Sequence, residues 1–223
     1  MTNGNKTVIV TGISTGIGFA VAEAYLRRGY NVVGSAYTPE RFRVAAKLGN
    51  PDRLTFLAGD IAKPATARAL FDGAIERFGK VDILINNASV FVAKRMMDYT
   101  AEDIENMVDT SLRGFIFPSQ QAAKHMSANR QGHIVSITAS ITARPNVNVP
   151  AFLSSLISGG IHHATRSLAT ELAAHNVKVN AVAPAIINTA QQIVDAVLHL
   201  TDSDVATGVV IPADEVCTAV AYR

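Results

Sequence analysis

The sequence is poor in cysteine, in aromatic residues and in net charge. Its 223 residues include one cysteine, Cys217, no tryptophan, and 20 basic against 18 acidic residues, for a formal net charge of +2. A single cysteine cannot close an internal disulfide, so we expect a reducing, cytoplasmic environment. Because the basic residues are scattered rather than arranged in stripes, the charge gives no basis for a nucleic-acid partner.

Long apolar runs are also absent, although 48% of the residues are hydrophobic. The opening MTNGNK leads directly into the short run VIV, which is not the pattern of a secretory signal peptide. No stretch is long enough to span a bilayer, so we expect no membrane partner. The hydrophobic content suffices for one substantial core, and we interpret residues 1–223 as a single domain.

Short β-branched runs alternate with amphipathic helical patterns along the whole chain. This alternation predicts an α/β fold, a single-domain, doubly wound, Rossmann-like parallel sheet with helices on both faces. The predicted strands cover 6–12, 30–36, 54–60, 81–89, 132–140, 177–185 and 208–213, and the predicted helices 16–28, 39–48, 65–78, 101–128, 150–175 and 190–200.

The most specific motif is the glycine-rich stretch TGISTGIG at residues 11–18. It follows the first predicted strand directly and opens the first predicted helix. Gly12 permits a tight turn, Gly16 lets the backbone approach a phosphate, and Gly18 lets helix and strand pack closely. Since the first N–H groups of a helix bind a pyrophosphate well, the motif predicts a dinucleotide site.

The spacing Thr-Gly-x-x-x-Gly-x-Gly resembles the short-chain dehydrogenase/reductase family, and three later segments resemble it in the same order. GDI at 59–61 is similar to the family's adenine-binding acidic turn, NNAS at 86–89 to its Asn-Asn-Ala-Gly segment, and VNAVAPAIINT at 179–189 to its Val-Asn-x-Val-x-Pro-Gly-x-x-x-Thr segment. Ser89 and Ala185 replace two of the family's glycines. The resemblance implies a site for NAD or NADP built from Gly12, Ser14, Thr15, Gly16, Ile17, Gly18, Tyr37, Asp60, Ile61, Asn87, Ala88, Ser89, Pro184, Ile187 and Thr189.

The end of the second strand bears on which cofactor is used. An acidic residue there accepts hydrogen bonds from the ribose 2′-hydroxyl and favours NAD. The position is Ala36, followed by Tyr37 and Thr38, so no carboxylate repels a 2′-phosphate. This favours NADP mildly, with Arg41 or Arg43 as candidates for the missing phosphate-binding arginine, and we expect binding to be weak.

The resemblance also implies where the family's catalytic groups should lie. The family uses a tyrosine as the proton donor or acceptor, a lysine four residues later that lowers the tyrosine pKa, a serine on the preceding strand, and an asparagine in the long helix. By sequence register these positions are Phe152, Leu156, Ala139 and Ser111. A phenol titrates near pH 10 and needs a neighbouring cation to act near neutrality, so all four replacements remove a working group.

No nearby residue restores this chemistry. The sequence contains no tyrosine between Tyr99 and Tyr222, so a shifted register does not recover a Tyr-x-x-x-Lys pair. Thr138 and Ser140 could each supply a hydroxyl, but neither a phenol nor an ammonium. We interpret the remaining candidates as helix-packing serines (Ser154, Ser155, Ser158), ordinary surface or interface histidines (His162, His163) and a chance pair without a third metal ligand (Asp195, His199).

Two further expectations concern substrate and assembly. After Thr189 the family normally inserts a loop that closes over substrate, whereas this chain passes directly into IVDAVLHL at 193–200, so the substrate loop is predicted to be deleted. The family pairs its two long helices with those of a neighbour. We expect the same here from apolar residues spread around the two helices, namely Met107, Leu112, Phe115, Ile116, Phe117, Ile157, Ile161 and Leu168.

Three interpretations of function remain open. The leading one is a catalytically degenerate member of the family that keeps a weakened NAD(P) site and acts as a binding partner. Such a partner would form a homo-oligomer (a dimer or tetramer) or a hetero-oligomer with an active homologue. The alternatives are an active NAD(P)-dependent oxidoreductase on a carbonyl or alcohol using non-standard groups, and an enzyme of another class.

Overall fold

Seven short strands, most of them rich in valine and isoleucine, form one parallel sheet. The computed structural model describes residues 6–140, 148–185 and 189–213. Within these, the order across the sheet is β3-β2-β1-β4-β5-β6-β7. Strands β1 to β7 span Thr7–Thr11, Asn31–Ala36, Leu54–Ala58, Ile83–Asn86, Gly132–Ile137, Val177–Ala183 and Val210–Pro212. The order reverses between β1 and β4, which is where such sheets open a crevice for ligands.

Helices cover both faces of this sheet, so the predicted doubly wound α/β fold is confirmed. Helices α1 and α6 pack on one face around Tyr25, whose buried hydroxyl is hydrogen-bonded to that of Thr201 at 2.8 Å. Helices α2, α4 and α5 pack on the other face. Helices α1 to α6 span Gly16–Arg27, Pro64–Phe78, Ala101–Met107, Gly114–Asn129, Phe152–Leu172 and Ala190–Asp202.

The helix predicted over 39–48 is wrong. Two short 3₁₀ turns, Pro39–Phe42 and Ala45–Leu48, occupy this segment. A helix this short has little stability of its own, so tertiary contacts decide its conformation. Phe42 stacks on Phe56 of β3 with ring centroids 4.6 Å apart, and the buried Ala45 holds the second turn against the domain.

The predicted helix over 101–128 is interrupted. A π-helical segment, Val108–Arg113, separates α3 from α4. It buries Ser111, whose hydroxyl accepts a hydrogen bond from the Val90 N–H at 3.1 Å. Single π-helical turns inside α-helices are frequent at functional sites, and this one lies beside the crevice.

Half of the apolar residues expected at an oligomer interface are buried within the domain. Met107, Phe115, Ile157 and Ile161 form one small core cluster with Leu153, between the π-helical segment and α5. The reason is that these side chains cover the domain's own second cavity, described below with the site. Among the predicted set, Ile116 is an exposed exception.

Candidate functional site

The loop between β1 and α1 carries the predicted glycine-rich turn. Gly12 and Gly16 have φ angles of +69° and +62°, in the left-handed region that glycine adopts without strain. A β-carbon on Gly18 would lie 2.4 Å from the Gly12 carbonyl oxygen and 2.5 Å from Nδ2 of Asn87. Helix α1 starts at Gly16 with no side-chain cap from Thr15. Uncapped N–H groups at a helix start are well suited to bind a phosphate, so the turn fits a dinucleotide.

Asn87 clamps this turn to the end of the neighbouring strand β4. Its side-chain amide donates to the backbone carbonyls of Thr11 and Gly12, both at 3.0 Å. In return, the Thr11 hydroxyl accepts hydrogen bonds from the N–H groups of Asn87 and Ala88, again at 3.0 Å. These four bonds fix the ends of β1 and β4 relative to each other, and so fix the floor of the crevice.

A cleft of about 690 Å³ lies at this floor. Ten predicted cofactor-binding residues line it: Gly12, Ser14, Thr15, Ile17, Tyr37, Asp60, Ile61, Asn87, Ala88 and Ser89. Gly16 and Gly18 shape the turn rather than line the cleft. Three further residues, Asn106, Asp109 and Thr110, reach the cleft from α3 and the π-helical segment without having been predicted from the sequence. No local sequence signal marks them, because their position depends on how that segment packs.

Charged groups are present at this cleft. Arg41 lines it, whereas Arg43 does not. Asp60 uses one carboxylate oxygen to accept a hydrogen bond from the Ala62 N–H at 2.9 Å, which stabilises its turn. Asp109 is paired with Arg113 one helical turn away. One cation and two carboxylates therefore border a polar cleft. A cation suits the phosphates of a dinucleotide, and carboxylates suit its ribose hydroxyls.

A second cavity, of about 470 Å³, adjoins the cleft. Both are lined by Ala88, Ser89 and Val90, so one extended ligand could reach from the cleft into the cavity. Ser111, Ala139 and Pro184, three residues implied by the family resemblance, line the cavity. The rest of its described wall consists mainly of hydroxyl-bearing and apolar side chains from β5, α4 and α5, including Ser136, Thr138, Ser140, Phe115, Ser154, Ile157, Ser158 and Ile161.

The structure places the residues assigned to the family's tyrosine and lysine outside the second cavity. Phe152 and Leu156 are 50% and 61% exposed and do not line the cavity. Ser154 and Ser158 do line it, with the same spacing of four. The sequence register assumed a family-length connection between β5 and α5. The cavity-facing positions instead begin two residues later, because the helix presents a different face to the cavity.

His162 is also placed differently from the prediction of a surface histidine. It is half-buried, and its Nε2 lies 2.7 Å from the hydroxyl oxygen of Thr138 in a hydrogen bond. Burial lowers the pKa of His162 below its usual value, so the imidazole is mainly neutral at pH 7. Thr138 lines the second cavity, and the pair is the nearest thing to an acid–base group at its described wall.

The remaining predicted positions lie apart from the cleft or outside the described residues. The Thr189 hydroxyl caps α6 by accepting a hydrogen bond from the Gln192 N–H at 3.3 Å. Ile187 lies outside the described residues. Within the described ranges, no cluster of three or more histidine, cysteine or acidic residues could hold a metal ion. No helix in that part of the chain is long and apolar enough to cross a membrane.

The parallel sheet, its switch point and the glycine turn define a Rossmann-type dinucleotide-binding protein. The profile of the short chain dehydrogenase family, adh_short, matches residues 6–195. The chain belongs to this family. Membership confirms the predicted class of cofactor, a nicotinamide dinucleotide.

Curated relatives are similar over most of their length. A 2-dehydro-3-deoxy-D-gluconate 5-dehydrogenase of Escherichia coli (strain K12) is 32% identical over 187 residues, or 82% of this chain and 72% of that protein. Oxidoreductase UcpA of the same organism is 31% identical over 188 residues, or 82% and 70%. The solved structure of ElxO with NADP bound has a TM-score of 0.88 at 22% identity, covering 94% of this chain and 97% of that one.

We expect Gly18→Ala to reduce dinucleotide affinity at least about tenfold, because the added β-carbon pushes apart the Gly12 carbonyl and the Asn87 amide that hold the turn. Calorimetric titration with NADPH measures the affinity. Gly73→Ala, at an open position within α2, is the matched control and should leave affinity unchanged while stabilising the helix by up to ~1 kcal/mol. Equal affinities for both variants would contradict the role of the turn.

Proposed function

We propose that this chain is an NAD(P)-binding protein of the short-chain dehydrogenase family that lacks the family's ordinary hydride-transfer activity and acts as a binding or oligomer partner. The observation that carries the proposal is the second cavity. Its described wall contains no phenol, no ammonium and no carboxylate, although it lies where the cofactor cleft ends. The relatives are named as active dehydrogenases and oxidoreductases, so the proposal separates this chain from them.

The physical reason is the proton that accompanies hydride transfer. A carbonyl that accepts a hydride must receive a proton, and a positioned acid speeds this step by roughly 10²- to 10⁴-fold. The serine hydroxyls at 154 and 158 are far weaker acids than a phenol held near a lysine. They also cannot carry the positive charge that lowers the pKa of such a phenol.

One observation favours a second candidate, a slow oxidoreductase with non-standard groups. The hydrogen bond between Thr138 and His162 joins a cavity hydroxyl to an imidazole. A protonated His162 could pass a proton through Thr138, but burial lowers the pKa of His162 and leaves little of the acid form at pH 7. The Thr138 hydroxyl also lies 3.2 Å from the Val182 carbonyl, to which it can donate. We therefore rank this candidate second.

We expect the purified chain to reduce carbonyls with NADPH or NADH at well below about 1 per second, the lower end of ordinary turnover. Restoring the family's groups on the cavity-facing side, by Ser154→Tyr and Ser158→Lys together with Ala139→Ser, should raise the rate at least about a hundredfold. The measurement is cofactor oxidation over a panel of small ketones and aldehydes.

The matched control places the same groups in the register read from sequence, by Phe152→Tyr and Leu156→Lys together with Ala139→Ser. These side chains point away from the cavity, so no gain is expected. A higher rate in the control alone would contradict the assignment of positions 154 and 158 as those that face the reacting groups. Ordinary turnover by the unmodified chain would overturn the proposal itself.

Arg41 supports NADP as the preferred cofactor. It is the arginine of the predicted pair that lines the cleft, next to Tyr37 and the end of β2. Within the described cleft, no carboxylate follows β2 directly to accept the ribose 2′-hydroxyl, since Ala36 ends that strand. A cation without an opposing carboxylate suits a 2′-phosphate.

Arg41→Ala should weaken NADPH binding about tenfold and leave NADH binding nearly unchanged, because only NADPH carries the phosphate. Arg43→Ala is the control and should affect neither affinity, since its side chain lies off the cleft. Fluorescence titration gives the dissociation constants of both variants for NADPH and for NADH. A loss that is equal for NADPH and NADH would show that Arg41 does not read the phosphate.

Self-association through α4 and α5 is part of the same proposal, with a second copy of the chain as the partner and a heteromer with an active homologue as the alternative. Phe152 and Leu156 are exposed on α5, and Ile116 on α4. A β-carbon added at Gly159 or Gly160 would meet nothing within 4 Å, so this part of α5 is uncovered. Two glycines destabilise a helix interior by roughly 1 kcal/mol each, and close approach of another helix would offset that.

We expect a dimer or tetramer in light scattering at tens of micromolar, and Leu156→Glu should shift it toward the monomer by placing a charge on the apolar surface. Val205→Glu, at an exposed apolar residue outside both helices, is the control and should not change the mass. A monomeric native chain would reject self-association. The single Cys217 supports placing this assembly in the reducing cytoplasm.

A further inference from the structure

The second cavity carries no formal charge on its described lining. Its nineteen lining residues include seven with hydroxyl groups and one amide, Asn86, and the rest are apolar. The charged residues of the site, Arg41, Asp60 and Asp109, all line the neighbouring cleft instead. A ligand that reaches from the cleft into the cavity therefore moves from a charged environment into a neutral one.

Several of the cavity's polar groups are already engaged with the protein. The Ser111 hydroxyl accepts from the Val90 N–H, and the Thr138 hydroxyl is bonded to His162. The Asn86 amide donates to the hydroxyl of Ser119 at 2.9 Å and lies 3.5 Å from that of Ser136. Side chains held in this way reorient poorly around a new charge, so the cavity solvates an ion much less well than water does.

The N-terminus of α5 adds a positive partial charge to this environment. The helix begins at Phe152 after Ala151, whose side chain cannot cap it, and Ser154 in its first turn lines the cavity. Unpaired N–H groups at a helix start are equivalent to roughly half a positive charge. The buried Oδ1 of Asn86 has no hydrogen-bond partner among the described residues, and it is a neutral acceptor rather than a counter-charge.

The two redox forms of a nicotinamide dinucleotide differ in the charge of the nicotinamide ring. The oxidised nicotinamide ring carries one positive charge, whereas the reduced ring is neutral; both keep the same phosphates, riboses and carboxamide. We propose that this chain discriminates between them and binds the reduced dinucleotide more tightly, so that its occupancy reports the redox state of the cofactor pool. The proposal rests on the proposed dinucleotide function and adds a ligand preference to it.

The cause is desolvation without a counter-charge. Placing the oxidised ring in the cavity removes water from a cation and supplies no carboxylate in exchange, while the reduced ring gains apolar contacts with Phe115, Ile157 and Ile161. We expect the dissociation constant of NADP⁺ to exceed that of NADPH at least about tenfold, which corresponds to about 1.4 kcal/mol. A neutral dinucleotide ring would thus fill the cavity, and a charged one would stay outside it.

Calorimetric titration with three probes tests this directly: NADPH, NADP⁺, and 2′-phospho-ADP-ribose, which lacks the nicotinamide. NADPH should bind most tightly, and NADP⁺ should bind about as weakly as the nicotinamide-free probe. Equal affinity of NADPH and NADP⁺, both above that of the third probe, would overturn the inference and leave the dinucleotide function intact. Failure of all three to bind would overturn both together.

Ser158→Asp and Ser158→Asn form a matched pair of the same shape that differ in charge. In titrations at a series of pH values, Ser158→Asp should raise NADP⁺ affinity once its carboxylate ionises, and narrow the ratio of the NADP⁺ to the NADPH dissociation constant at least about threefold relative to Ser158→Asn. Thermal unfolding checks that both variants fold. If either fails, the same exchange at Ser154 repeats the test, because that residue also lines the cavity. Identical ratios of the two dissociation constants for the charged and neutral variants would contradict an electrostatic origin of the preference for NADPH.

Discussion

The architecture of the site depends on the clamp between the ends of β1 and β4. At this point the strand order reverses, and the Asn87 amide and the Thr11 hydroxyl bind each strand end to the other through four hydrogen bonds. The clamp leaves no room for a side chain at Gly18, because a β-carbon there would collide with the Asn87 amide and the Gly12 carbonyl. The glycines, the amide and the cleft are therefore one structural unit, and the cleft exists because the unit holds its floor open.

Packing of α5 determines which chemistry reaches the second cavity. Leu153, Ile157 and Ile161 are buried against Met107 and Phe115, and this contact fixes the rotation of the helix. Since successive helical residues point about 100° apart, burying these three positions turns their neighbours Ser154 and Ser158 toward the cavity. The same rotation directs the residues at 152 and 156 outward. A catalytic pair four residues apart on α5 therefore faces the cavity only at positions that the packing of the helix directs toward it.

Sequence patterns predicted the structure correctly where the order and spacing of apolar residues and glycines follow the burial of the element. The buried parallel strands and the glycine turn were predicted because continuous β-branched runs and a strand–glycine–helix order have few other outcomes. The errors fall where tertiary contacts decide: the 3₁₀ turns held by Phe42 on Phe56, the π-helical segment around Ser111, and the register of α5. The last depends on how α5 packs against Met107 and Phe115, and no periodicity in the sequence reports that contact.

The open cavity lowers the stability of the folded state in the free chain, and a bound ligand raises it. An open cavity lined by Phe115, Ile157 and Ile161 leaves apolar surface without contacts, and the orphaned Asn86 oxygen adds an unsatisfied acceptor. A ligand that fills the cavity supplies the missing apolar contacts and stabilises the folded state more as its affinity and concentration rise. Binding can therefore change the stability and assembly of the domain even when no bond in the ligand is altered. Under the proposed function, this coupling is the physical means by which the dinucleotide site acts without catalysis.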